Sequence, residues 1–232
     1  IEATRLLVER VGQRETSLRM LRLSSDILPV YTHEEYSYFY KQPEVIAYIA
    51  REFARVGEIA KTNDVKLSFH PGQFCVLASN RDDVVDRSIE EFEYHVDMAR
   101  WMGYGKEFQD FKINVHISGR QGPEGIRSAY SRLSPEARNC ITLENEEITY
   151  GIEHTLSLSD IIPTVLDIHH HWIREGEYMQ IGIRGPLSGE NDYADAKTLG
   201  ARTVTIHEVM EKGVAEILKE VHQRMNGPVY VT

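Results

Sequence analysis

Five residues of metal-ligating type stand at the C-terminal ends of four short apolar or β-branched runs. KLSFHPGQF delivers His70, KINVHISG carries His116, CITLENEE carries Glu144, and TVLDIHHHW carries Asp167 with His170. Imidazole nitrogens combined with carboxylate oxygens suit zinc, manganese or iron, and a bridging carboxylate suits a two-metal hydrolytic site. One histidine on an apolar strand is ordinarily a hydrogen-bonded core or rim residue. Four strand ends in succession, each followed by a helix-like segment, point instead to ligands. If the strands are parallel neighbours, their ends converge where α/β folds place their chemistry.

Two local segments refine this set. Within a strand, Asp167 and His169 would share one face and Ile168 and His170 the other. At a strand end that alternation lapses, so Asp167 and His170 can both face the mouth, leaving His169 and His171 as supporting residues. In HPGQFCVLAS, Pro71 and Gly72 pin the backbone after His70 and project Gln73 and Phe74 outward. Such a polar–aromatic pair could wedge into a stacked duplex. The plainer alternative is that Phe74 plugs the mouth of the fold.

The elements needed to hold these residues are legible as alternation. EATRLLVERVGQ reads as a helix and RMLRLSS as a strand. Residues 44–61 place Val45, Ile49, Phe53 and Val56 on one helical face. KLSFH is a strand, and a long helix begins near Asp82 and ends at Gly103. KINVHIS, a helix around GPEGIRSAYSRL, CITLENE, a helix around 154–160 and TVLDIHH continue the pattern. MQIGIRG, NDYADAKTLG, RTVTIHE, EKGVAEILKEVHQRM and PVYVT extend it to the end. Eight strand-like runs separated by helices predict an α/β fold, a TIM-barrel-like (β/α)8 parallel barrel that is imperfectly closed or recombined, with an open doubly wound sheet as the alternative. A single α/β domain over 1–232 is expected, with a seam in WIREGEYMQIGIRGPLSGEN.

Composition narrows the setting. The 232 residues, 41% hydrophobic and 27% charged, suit a domain with a real core. Two cysteines exclude a disulfide framework. No apolar run approaches the roughly 20 residues needed to span a bilayer, and no basic, apolar-cored leader opens the chain, so a soluble cytoplasmic protein with no membrane contact is expected. A net charge of −10 disfavours nucleic acid as a partner, although divalent cations in a carboxylate-rich site would offset part of it. Arg19, Arg22, Lys41, Arg81 and Arg120 are candidates to pair with phosphates.

Together LRMLRLSSDILPVYTH, SFHPGQFCVLAS, NVHISG, LENEE and VLDIHHHW resemble the UV damage endonuclease family, over residues about 19–178, within a barrel part expected to span 1–178. The resemblance implies a TIM barrel, a cluster of divalent ions, usually manganese with zinc or magnesium as alternatives, and UV-damaged double-stranded DNA as partner. It further implies that His70, His116 and Glu144 are catalytic metal ligands, with Glu144 bridging. Asp167 and His170 would serve a second and a third ion. Gln73 and Phe74 would probe the lesion, and the family nicks the strand immediately 5′ of UV photoproducts.

The tail departs from that pattern. The family's Lys-x-His strand, later His ligand and last-strand Glu ligand have no counterpart. Residues 179–232 instead resemble the agmatinase/arginase (ureohydrolase) family, resting on QIGIRG and the helix leading to PVYVT. Neither that family's Asp-Ala-His-x-Asp motif nor its Ser-Phe-Asp-x-Asp motif is present. A chimera is therefore expected, in which the tail completes the sheet and His207 could stand in for a lost ligand. Three functions follow: a UV-type endonuclease, active or silenced by its missing ligands; a recombined, catalytically silent scaffold with a partial metal site; and, with least support, a ureohydrolase.

Overall fold

A computed structural model of the chain describes residues 1–174, 179–183 and 202–224. They fall into two compact units, residues 1–144 with 153–165, and residues 145–152 with 166–232.

The first unit is built on five parallel strands: β1 (Met20–Arg22), β2 (Lys66–Phe69), β3 (Lys112–His116), β4 (Ile141–Glu144) and β5 (Thr164–Val165). They lie side by side in chain order, every neighbouring pair parallel. Helices α1 (Glu2–Gly12), α2 (Pro43–Thr62), α3 (Asp82–Trp101), α4 (Gly122–Arg132), α5 (Pro135–Cys140) and α6 (Ile152–Leu156) connect them. This is the α/β, TIM-barrel-like arrangement expected, but the sheet ends at β1 and β5 and does not close among the described residues. All four residues of β4 are buried, as befits a central parallel strand covered on both faces. Ile113, Val115, Ile141, Leu143 and Phe69 form the centre of the core.

Helix α2 buries the stripe Ile49, Phe53, Val56, Gly57 and Ala60. Val45, expected on that face, is only partly covered. Gly57 is dictated by packing: a Cβ there would lie 2.0 Å from the Met102 carbonyl oxygen, just beyond α3. Helix propensity alone would make Gly57→Ala stabilising by about 1 kcal/mol. The clash is with backbone that cannot swing aside, so Gly57→Ala is expected to destabilise the protein by about 1–3 kcal/mol. A urea midpoint for G57A at or above that of the parent would refute this. Helix α3 starts at Asp82 as expected, and Gly103 reverses the chain after it with φ +82°.

The second unit holds helix α7 (Ile168–Arg174), strands β6 (Met179–Ile183) and β7 (Arg202–Thr205), and helices α8 (Ile206–Lys212) and α9 (Val214–Arg224). Strands β6 and β7 form a separate parallel pair. Arg202 ties this part together through Glu220, at 2.7 Å, and Glu208.

Several local expectations need correction. The run TVLDIHHHW is not one strand: β5 stops at Val165 and IHHHWIR is helical. RTVTIHE likewise turns from strand to helix at Ile206, because Thr205 caps the Glu208 N–H with its hydroxyl. His207 therefore sits exposed in the first turn of α8 rather than at a strand end. The helix read through EKGVAEILKEVHQRM is broken at Gly213. Helix α5 was not expected, and α6 begins two residues earlier than 154. NDYADAKTLG, PVYVT and most of the proposed seam lie outside the described residues.

Candidate metal centre

Parallel register assembles the first cluster. His116 on β3 is paired directly with Glu144 on β4, and His70 follows the last residue of β2. Glu144 Oε1 lies 2.8 Å from His70 Nε2 and 3.0 Å from His116 Nε2. The two rings stand 4.9 Å apart, centroid to centroid. Glu144 is buried, while both imidazoles remain partly open. Three sequence-predicted residues thus share one point.

The protonation pattern says what that point wants. His70 Nδ1 lies 3.1 Å from the Pro71 carbonyl oxygen, which can only accept, so Nδ1 carries the hydrogen. In the neutral ring Nε2 is then a lone pair aimed at a carboxylate oxygen. A lone pair facing an anion needs a cation between them, either a proton or a metal ion. Donors about 2.1 Å from one ion stand about 3 Å apart at right angles, which matches this spacing. The residues fit a divalent ion. Burial pushes the Glu144 carboxyl up, but the His70 bond, the charges that His70 and His116 carry when protonated, and the Asn114 amide outweigh it and hold it below the usual carboxylate range. Glu144 is therefore a ready anion at neutral pH.

Two further residues support Glu144 and were not identified from the sequence. Asn114 donates its amide N–H to Glu144 Oε2, and the Thr142 hydroxyl donates to Asn114 Oδ1 at 2.9 Å. Oε2 is anchored, which turns Oε1 towards the imidazoles. The signal was available: Asn114 is two residues before His116 and Thr142 two before Glu144. Each shares a strand face with its ligand.

Asp167 and His170 belong to the second unit, where α7 brings them together at i, i+3 spacing. His170 Nε2 is 3.7 Å from Asp167 Oδ2. Asn145 clasps Asp167 from both sides, accepting from its N–H at 2.8 Å and donating to its carbonyl at 2.9 Å. Helix geometry, not a strand end, pairs this aspartate with this histidine.

Gln73 and Phe74 form the exposed apex of a loop fixed at both ends. Pro71 and Cys75 are buried, Cys75 N–H donates to the Gly72 carbonyl at 3.0 Å, and Val76 N–H donates to the Ser88 hydroxyl at 2.9 Å. Phe74 is 85% exposed, so it is not a plug. Of the basic residues considered for phosphate, Arg19 donates to the carbonyls of Arg14 and Asn63, and Arg81 pairs with Asp83 at 2.6 Å. Arg22, Lys41 and Arg120 are exposed. Cys75 and Cys140 are buried free thiols, and no described helix is long and apolar enough to cross a membrane.

The parallel strand ends of this α/β fold gather His, His and Glu around one point, a group that could hold a divalent ion. The chain belongs to the UV-endonuclease UvdE family, whose model matches residues 12–184; the arginase family model matches residues 164–232. It is 29% identical over 167 residues to the UV-damage endonuclease of Schizosaccharomyces pombe, covering 68% of this chain and 27% of that protein. It is 31% identical over 160 residues to the UV DNA damage endonuclease of Bacillus velezensis, covering 66% and 48% respectively. The chain thus spans less than half the length of these relatives. The crystal structure of SacUVDE superposes with a TM-score of 0.62 and 25% identity, covering 84% of this chain and 62% of that one.

Proposed function

We propose that the chain acts on UV-damaged double-stranded DNA as a metal-dependent endonuclease, hydrolysing the phosphodiester 5′ of the photoproduct. The observation that carries this reading is the meeting of His70, His116 and Glu144 within 2.8–3.0 Å, one residue upstream of the loop that exposes Gln73 and Phe74. His70, His116 and Glu144 would hold one divalent ion, manganese foremost with zinc or magnesium as alternatives. Asp167 and His170 would contribute to further ions. A bound divalent ion supplies Lewis acidity to a phosphodiester. The chain's own residues do the rest: the Pro71 carbonyl orients His70, Asn114 and Thr142 set the angle of Glu144, and Phe74 offers a face for an unstacked base.

Incubation of UV-irradiated supercoiled plasmid with the chain and manganese tests the reading. Nicks confined to irradiated plasmid, and lost with chelator, are the expected result. Metal binding without any nicking above the unirradiated control would sink it. That outcome would favour the second reading, a recombined chain that keeps a partial metal site but is catalytically silent. The arginase-family match beginning at residue 164, inside the UvdE match, specifically supports such a junction.

A further inference from the structure

The loop that presents Gln73 and Phe74 is gripped by two elements that supply no metal ligand. From α3 comes Ser88, only 2% exposed. Its hydroxyl donates to the Val84 carbonyl at 2.7 Å, which spends its hydrogen and leaves its lone pairs for the Val76 N–H, at 2.9 Å. The Ser88 carbonyl receives the Cys75 thiol, sulfur to oxygen 3.5 Å. Burial pushes that thiol up to about 12, so it keeps its hydrogen at neutral pH. From the turn after β3, the Gln121 N–H donates to the Ala78 carbonyl at 2.9 Å. Gly119, with φ +106°, comes so close that a Cβ there would lie 2.3 Å from both the carbon and the oxygen of that carbonyl. Cys75, Leu77, Ala78 and Ser79 are buried, whereas Gly72, Gln73 and Phe74 are exposed.

We infer that Ser88 and Gly119 are positioning residues that preset the Gln73–Phe74 apex as a wedge, so that it enters a damaged duplex without first being ordered. A loop that must be immobilised on binding gives up part of its contact energy to lost freedom, and a preset loop avoids that cost. Each residue acts by a feature its neighbours cannot replace. Ser88 offers a buried acceptor to a loop amide, and alanine there would leave that amide without its bond. Gly119 has no side chain to hold the Ala78 backbone away, and its φ is one that other residues rarely adopt. The inference rests on the endonuclease reading only for what the apex meets; the grip itself is a property of the chain alone.

Amide hydrogen exchange of the metal-free chain, followed by NMR, reads the grip. Ser88→Ala should speed exchange at Val76 by about 10-fold while the amides of β2, β3 and β4 keep their rates. Fluorescence anisotropy with a fluorescein-labelled, UV-irradiated duplex then reads the wedge. Ser88→Ala should weaken binding about 10-fold in the parent, yet by less than about twofold when Phe74→Ala is already present. That dependence on Phe74 is what a merely structural serine would not show. Gly119→Ala should give the same pair of results from the other element; should it fail to fold, Ser88→Ala decides alone. Unchanged exchange at Val76 overturns the inference, as does an equal loss of binding with and without Phe74. Ser88-dependent exchange in a parent chain that does not distinguish irradiated from intact duplex upholds the positioning role and sinks the endonuclease reading instead.

Discussion

Glu144→Gln is expected to weaken manganese binding at the His70–His116 cluster by more than about 100-fold while leaving the chain folded. Loss of a partner outside the ligand sphere already costs about 10–100-fold, and Glu144 supplies the only negative charge among these three donors. Glutamine has nearly the same shape, so the sheet is undisturbed, but its hydrogen-bonding sense is wrong. Asn114 donates towards Oε2, which will draw the glutamine oxygen to itself. The amide NH2 must then point at the two imidazole nitrogens, placing hydrogens where the ion would sit. Isothermal titration of E144Q beside the parent measures the loss. An affinity within about threefold of the parent would show that Glu144 is not a ligand. Plasmid nicking should disappear in the same variant.

The second large effect concerns pH. His95, on α3, has no exposed surface and donates from Nδ1 to the Glu91 carbonyl at 2.8 Å. Its Nε2 has no hydrogen-bond partner in the structure, and its ring meets Phe69 and Tyr94 at 5.3 and 4.9 Å. Burial lowers its pKa to about 4, against smaller upward contributions from the Glu91 carbonyl bond and the Asp26 charge. The Glu91 carboxylate, 3.9 Å from Nδ1, is itself pushed up by burial and does not make His95 an ion pair.

The unfolded chain takes up a proton on this histidine near pH 6.5, whereas the folded chain does so only near 4. Stability is therefore complete above about pH 6.5 and is lost as pH falls towards 4, by up to about 3 kcal/mol. Glu144, held below its ordinary value, adds to the loss in the carboxylate range, and Glu91 opposes it. Urea unfolding of the parent and of His95→Gln at pH 7.5 and 4.5 isolates the histidine. The parent should lose about 2–3 kcal/mol more than the variant between the two pH values. Parallel losses would refute the assignment.

What the sequence disclosed depended on whether a local rule governs the residue. Period-two and period-3.6 patterning identified β2, β3, α2 and α3, because those elements bury one consistent face, whereas β4 was legible as a short strand-like run and is covered on both faces. His70, His116 and Glu144 were legible with them: each ends or follows such a strand. Asp167 and His170 were found as residues but with the wrong backbone. A run such as LDIHHHW satisfies strand and helix templates alike, and the observed helix begins at Ile168. Asn114, Thr142 and Asn145 escaped notice because a supporting amide or hydroxyl looks like ordinary polarity. Only its partner distance reveals it. The junction of two family patterns was legible, as motif identity needs no coordinates.

The direct pairing of His116 with Glu144 across β3 and β4 has one more implication. Sliding one strand past the other by a single residue would turn Glu144 to the opposite side and leave the imidazoles with an apolar neighbour, Leu143. Uptake of a cation would thus act as a proofreader of strand alignment, recognising chains assembled in the correct frame and ignoring those that are not.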